Sequence, residues 1–175
     1  MLGEKTKKNL EEAFAGESMA RNKYDYYASV ALKAGYVQIA NFFTETALNE
    51  KEHAKLWAKQ LTLIGDLPSN LKAAFEGELY ENSDMYPRMA KEALEEGHAD
   101  IANLFQEVAG VEKSHEIRYR KLLTNLESGE VFKRSEVTWW KCNNCGHIHE
   151  GTNAPLVCPT CAHPQAHFEL LAENY

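Results

Sequence analysis

The sequence predicts a mainly α-helical protein: an up-and-down bundle of four long helices, followed by a small β/loop domain stapled by metal. Three observations carry this. Four long segments show helical periodicity between short breaks. The second half of the helical region repeats the first. All four cysteines crowd into two CxxC pairs between residues 142 and 161.

The helices are expected at about 4–33, 36–64, 69–96 and 98–126. Each break has its chemistry: Gly35, then Gly65-Asp66 with Pro68 and Asn70, then Gly97, then Ser128-Gly129. Connections this short make consecutive helices antiparallel neighbours. The longest, LIGDLPSN, is also compatible with exchange of helix pairs between chains. Pro87 is expected to bend the third helix locally. The pattern changes after residue 128, giving a helical domain over 1–128, a linker over 129–138 and a Cys-, His-, Pro- and Trp-rich domain over 139–175.

Composition narrows the function. A net charge of −7 argues against a phosphate-binding surface and hence against nucleic acid. The start, MLGEKTKKNL, holds no apolar run of the signal-peptide kind, and no apolar stretch elsewhere approaches a membrane span. A cytoplasmic protein is expected, whose paired cysteines are metal thiolates rather than disulfides.

The repeat is plain when ALKAGYVQIANFFTETALNEKEH (31–53) is set against ALEEGHADIANLFQEVAGVEKSH (93–115), about half identical at a constant offset of 62. AFAGES (13–18) and AFEGEL (74–79) align one residue out of phase. Glu50 and His53 therefore have twins in Glu112 and His115, and Glu17 has a twin in Glu78. Steps of three and four place these residues on apolar stripes: Ile39, Phe43, Thr46, Glu50, His53, Trp57, Leu61 in one helix, and Ile101, Phe105, Val108, Glu112, His115, Tyr119, Leu122 in its twin. In the first helix the stripe is Leu10, Ala13, Glu17, Ala20, Tyr24, Tyr27. Burying one unpaired carboxylate costs several kcal/mol. Four of them converging require positive charge, which two metal cations would supply. One Glu from each of two helices plus Glu-x-x-His from each of the other two is a di-metal carboxylate ligand set, for which iron, manganese and zinc all remain open. Glu81, three residues after Glu78, has no acidic twin, since Ala20 stands at the aligned place. Position alone leaves it either a seventh ligand or a solvent-facing side chain.

On AFAGESMARNKY, NEKEH, GELYENSDMYP, VEKSH and CNNCGHIHEGTNAPLVCPTCAHPQAHFEL, the chain resembles the rubrerythrins along nearly its whole length. The resemblance implies a ferritin-like bundle with iron ligands Glu17, Glu50, His53, Glu78, Glu81, Glu112 and His115, Glu50 and Glu112 bridging. It also implies a redox-dependent exchange of Glu81 for His53. Tyr24 and Tyr86 read as core aromatics by pattern; the resemblance gives them hydrogen-bonding roles in the di-iron pocket, and lists them with Glu81 and His53 as catalytic.

Residues 139–175 are too few to build a core unaided, so Cys142, Cys145, Cys158 and Cys161 read as a tetrahedral thiolate site. Spacing alone fits zinc or iron. Cys-Gly after the first pair, Cys-Pro in the second and the carboxylate site in the same chain favour a rubredoxin-type FeS4 centre. Ala162 departs from rubredoxins, where glycine commonly follows the last cysteine. His147, His149, His163 and His167 read as loop residues.

The resemblance implies a peroxidase: hydrogen peroxide reduced to water at the di-iron site, electrons relayed through FeS4, in oxidative-stress defence. With no dinucleotide fingerprint in the chain, the donor is expected to be a free rubredoxin or an NAD(P)H-dependent reductase. A homodimer or higher homo-oligomer is implied. A ferritin-like ferroxidase is the main alternative.

Overall fold

The computed structural model describes residues 2–174. The chain is mainly helical, with a small three-stranded C-terminal sheet. It divides into two compact units at Gly65/Asp66.

The first unit is a hairpin of α1 (Glu4–Lys33) and α2 (Val37–Gln60). Gly35 turns the chain at φ +83, a left-handed conformation that glycine reaches without steric cost. Tyr36 N then donates to Ala31 O at 2.9 Å, closing α1. The seam is alanine: Ala40, Ala47, Ala54 and Ala58 of α2 are buried, with Ala28 and Ala31 of α1. This differs from the stripe expected from sequence, which lies beside the seam: Glu50 and Trp57 are half-buried and Ile39 is exposed. The physical reason is size. Methyl side chains let two helix backbones approach closely, and the larger residues flank the contact. α2 ends four residues earlier than expected, where Thr62 takes φ +55.

The second unit opens with α3 (Leu67–Tyr80), capped by Asp66, whose side chain accepts from Ser69 N at 3.0 Å. A π-helical turn, Glu81–Met85, joins α3 to α4 (Tyr86–Glu95). The irregularity expected at Pro87 therefore falls in the turn before it. Proline lacks an N–H and its ring crowds the carbonyl four residues back. Within the widened turn Asn82 Nδ2 donates to Glu78 O at 2.7 Å and Ser83 Oγ to Leu79 O at 2.6 Å, and Tyr86 N reaches Glu81 O. Gly97, at φ +86, leads into α5 (Ala99–Glu127), with His98 N on Ala93 O at 2.8 Å, repeating the first hairpin's turn.

The repeat is visible in the packing. Ala28, Ala31, Ala40 and Phe43 form one cluster; Ala90, Ala93, Ala102 and Phe105 form another, residue for residue at the same offset. Tyr24 lies 6.1 Å from Phe43 at 31°, and Tyr86 lies 6.0 Å from Phe105 at 34°.

The C-terminal sheet has order β2-β1-β3, all antiparallel: β1 Lys133–Cys142, β2 Ile148–Asn153, β3 Phe168–Leu170. β1 begins inside the segment expected as a linker. Its core is Trp140, Cys142, Ala154, Cys158 and Phe168. Trp140 is wholly buried and its Nε1 donates to Gly151 O at 3.0 Å. No helix among the described residues is long and apolar enough to cross a membrane.

Candidate metal centres

Six of the seven carboxylate and imidazole residues singled out from sequence fall into two triads, one per unit. In the first, the ligand atoms of Glu17 (α1), Glu50 and His53 (α2) all lie within 4.8 Å of one another. His53 Nδ1 is 2.9 Å from Glu50 Oε2 and 3.8 Å from Glu17 Oε1. The i, i+3 spacing does this: Glu50 and His53 sit a turn apart on one face, and the hairpin brings Glu17 across from them. The second triad repeats it. Glu78 (α3), Glu112 and His115 (α5) cluster within the same limit, with His115 Nδ1 at 2.7 Å from Glu112 Oε2 and 3.5 Å from Glu78 Oε2.

Both triads behave as sites short of positive charge. The Glu17 carboxyl is pushed up from its ordinary value, first by a hydrogen bond shared with Glu50, then by desolvation and the Glu50 charge, while His53 pulls it down. Glu78 is pushed up by desolvation first, then by Glu112, with His115 opposing. Carboxylates forced to share protons are what a bound cation would relieve, and an O,O,N donor set suits iron as it does manganese or zinc. Glu81 stands outside the second triad, but its negative charge is felt by Glu78 and by Tyr86. The Tyr86 phenol is raised by desolvation and then by the charges of Glu81, Glu112 and Glu78.

This has a pH signature in metal-free protein. Because Glu17 and Glu78 hold protons more tightly folded than unfolded, their contribution to stability is fully present below the ordinary carboxyl pKa. It is lost as pH rises through their raised values. Metal-free E17Q/E78Q should therefore melt above metal-free wild type at pH 7 and alongside it at pH 4, read by calorimetry. A constant difference across that range would count against the shared-proton account.

The four sulfurs form the third cluster. Cys142 Sγ is 3.8 Å from Cys161 Sγ, and Cys145 Sγ is 3.7 Å from Cys158 Sγ. All four lie within 4.8 Å of one another and none is in a disulfide. A tetrahedral ion with metal–sulfur bonds near 2.3 Å spaces its ligands ~3.8 Å apart, so the cage has the size of a metal site. Two knuckles build it alike. Cys142 N donates to His147 O and Gly146 N to Cys142 O; Cys158 N donates to His163 O and Ala162 N to Cys158 O. The His163 amide is the main cause that brings the Cys161 thiol down to about 5. At Cys145 the His147 amide pulls down, but desolvation and the other sulfurs together push it up to about 12.

These two amides escaped sequence reasoning, because a backbone donor leaves no side-chain signature. The partners of the tyrosines, Phe43 and Phe105, were legible as repeat twins. Of the four histidines, His147 contacts Thr160 Oγ1 at 3.1 Å and the His163 and His167 rings meet edge to face at 4.7 Å. None of the four joins a metal-ligand cluster among the described residues.

Ala162 takes φ +57, mirroring Gly146 at φ +77. A non-glycine residue in that conformation costs roughly 1–2 kcal/mol, so A162G should stabilise the metal-loaded domain by about 1 kcal/mol, less what glycine loses in unfolded-chain entropy. Denaturant unfolding followed by visible absorbance tests this.

Paired Glu-Glu-His triads on helical hairpins, together with a four-thiolate cage, define a metal-binding protein that carries carboxylate–imidazole and thiolate sites in one chain. Comparison with known proteins places it further. The family model "Rubrerythrin" matches residues 8–123, and "Rubrerythrin, rubredoxin-like domain" matches residues 140–169. Rubrerythrin-1 of Clostridium acetobutylicum is 50% identical over 100% of this chain and 98% of its own; rubrerythrin of Nitratidesulfovibrio vulgaris is 46% identical over the same shares. Rubrerythrin of Clostridium perfringens is 48% identical, again over 100% and 98%. The chain belongs to the rubrerythrin family, and carries the Glu/His groups of its di-iron site and its four-cysteine site.

Proposed function

We propose that the protein is a peroxidase that reduces hydrogen peroxide to water. The observation that carries this is the presence, in one chain of this family, of both two Glu-Glu-His triads and a four-thiolate cage. Glu17, Glu50, His53, Glu78, Glu81, Glu112 and His115, all in the helical domain (1–128), would hold the two irons, Glu50 and Glu112 being the carboxylates the two ions would share. Cys142, Cys145, Cys158 and Cys161 would hold the third iron. When bound, the irons supply two electrons and Lewis acidity to the O–O bond, and the thiolate iron supplies electrons singly.

The chain's own residues do the rest. Glu81 and His53 would be the two candidate ligands for one metal position, since an anionic oxygen would suit a harder ferric ion and a neutral imidazole a ferrous one. The Tyr86 phenol, protonated at neutral pH in any case and pushed further up by desolvation and then by the surrounding carboxylates, remains a hydrogen-bond donor. Tyr24 takes the twin role, its ring fixed against Phe43. Both orient the carboxylates or the bound peroxide by their hydroxyls. The electron donor is a free rubredoxin or an NAD(P)H-dependent reductase. The working form is a homo-oligomer, at least a dimer, in the cytoplasm.

Rapid mixing tests the proposal. The anaerobically reduced, iron-loaded protein should regain its thiolate colour quickly with hydrogen peroxide and much more slowly with oxygen. Colour that stays bleached with peroxide, or returns faster with oxygen, would sink the peroxidase and favour ferroxidase chemistry.

A further inference from the structure

The two hairpins differ at a place where the second carries large side chains and the first carries alanines, and the difference leaves space in the first. In the second unit Glu116 and Arg120 of α5 form an ion pair, Glu116 is buried, and the Arg120 guanidinium lies 5.7 Å over the Phe75 ring. The twins of these residues in the first unit are Ala54, Ala58 and Phe14. The phenyl ring is kept; the carboxylate and the guanidinium are gone. An open cleft of about 400 Å³ lies there, lined by Phe14, Ala54 and Ala58 together with Arg21, Lys51 and Lys55.

Two of this cavity's three positive charges are unspent. Lys55 reaches Glu52 at 3.4 Å, but Arg21 and Lys51 form no ion pair among the described residues. Three cations at one cavity are notable in a chain of net charge −7. The size falls within the range of small-ligand pockets, about 300–1,000 Å³. The twin hairpin indicates what the space accommodates: a carboxylate held by a cation beside an aromatic ring.

We propose that this cavity binds a small organic carboxylate with a short apolar or aromatic body. The carboxylate takes the Glu116-like place, Arg21 and Lys51 replace the missing guanidinium as its partners, and the body packs on Phe14 and the two alanines. The inference does not depend on the peroxidase proposal, since it rests on the first hairpin and its comparison with the second.

Titration calorimetry on the full-length, metal-loaded protein tests it, with benzoate, benzyl alcohol and inorganic phosphate as probes. Benzoate should bind saturably, with benzyl alcohol weaker by about 10-fold or more, as expected when a charge-assisted hydrogen bond is lost. Phosphate should also bind more weakly, because it has no body for the apolar floor. A54E/A58R, which copies the second hairpin's filling into the first, should abolish benzoate binding. R21Q/K51Q changes only cavity-wall residues and should weaken it about 10-fold or more, so the proposal stays testable if A54E/A58R fails to fold. Equal binding of benzyl alcohol, phosphate matching benzoate, no benzoate binding, or unchanged affinity in R21Q/K51Q would each overturn the site.

Discussion

Replacing Cys158 with serine should strip the metal from the C-terminal domain and unfold it while the helices persist. The domain's buried core comprises five residues, two of them ligands: Trp140, Cys142, Ala154, Cys158 and Phe168. So few apolar side chains cannot offset the ordering of some forty residues. A structural metal in a small domain supplies on the order of 10 kcal/mol, and a site that loses one thiolate gives up much of it. Visible colour should vanish, and the Trp140 indole N–H, now bonded to Gly151 O at 3.0 Å, should lose its protection against hydrogen exchange. The far-ultraviolet helical signal should change little. A C158S protein in which that N–H stays protected would show that sheet packing alone holds the domain.

The second large effect is expected at Glu112. It sits 2.7 Å from His115 and shares a hydrogen bond with Glu78, so its removal opens the second triad from both sides. E112A should lose iron from the helical domain while keeping the thiolate iron. Peroxide turnover should fall by at least about 100-fold, beyond the roughly 10–100-fold that loss of a mere supporting residue costs. Glu95, whose exposed carboxylate faces Lys91 at 3.8 Å, is the control; E95A should leave both iron content and turnover unchanged. Peroxide turnover surviving in iron-depleted E112A would remove the triads from the chemistry.

Much of this was legible in the sequence because its signals are local. α1 runs over the residues its periodicity marks, and Gly35 and Gly97 turn the chain where left-handed backbone is needed. The triads were legible because the same pattern occurs twice. The buried seam was not: alanines at Ala40, Ala47 and Ala54 carry little hydropathy, and the heavier stripe beside them masks their close helix contact. β1 begins in a polar stretch, Lys133 to Glu136, that reads as a linker because its partner strands come later in the chain. The Glu116–Arg120 pair was missed because at the surface of a helix the same spacing is an ordinary solvated pair.

The π-helical turn records how the two halves came to differ. Before it, the repeats correspond at an offset of 61, as in Glu17 and Glu78; after it they correspond at 62, as in Tyr24 and Tyr86. The odd residue out therefore lies in this turn, and a duplicated hairpin followed by a one-residue insertion accounts for the arithmetic. In a regular helix an added residue would rotate everything downstream by about 100°. Here the bulge absorbs it, and Tyr86 meets Phe105 as Tyr24 meets Phe43, at 6.0 and 6.1 Å. The insertion thus altered the local lining without disturbing the packing on either side, and Glu81, the acid without a twin, opens that turn. Deleting one residue from it should return the second hairpin to the plain symmetry of the first.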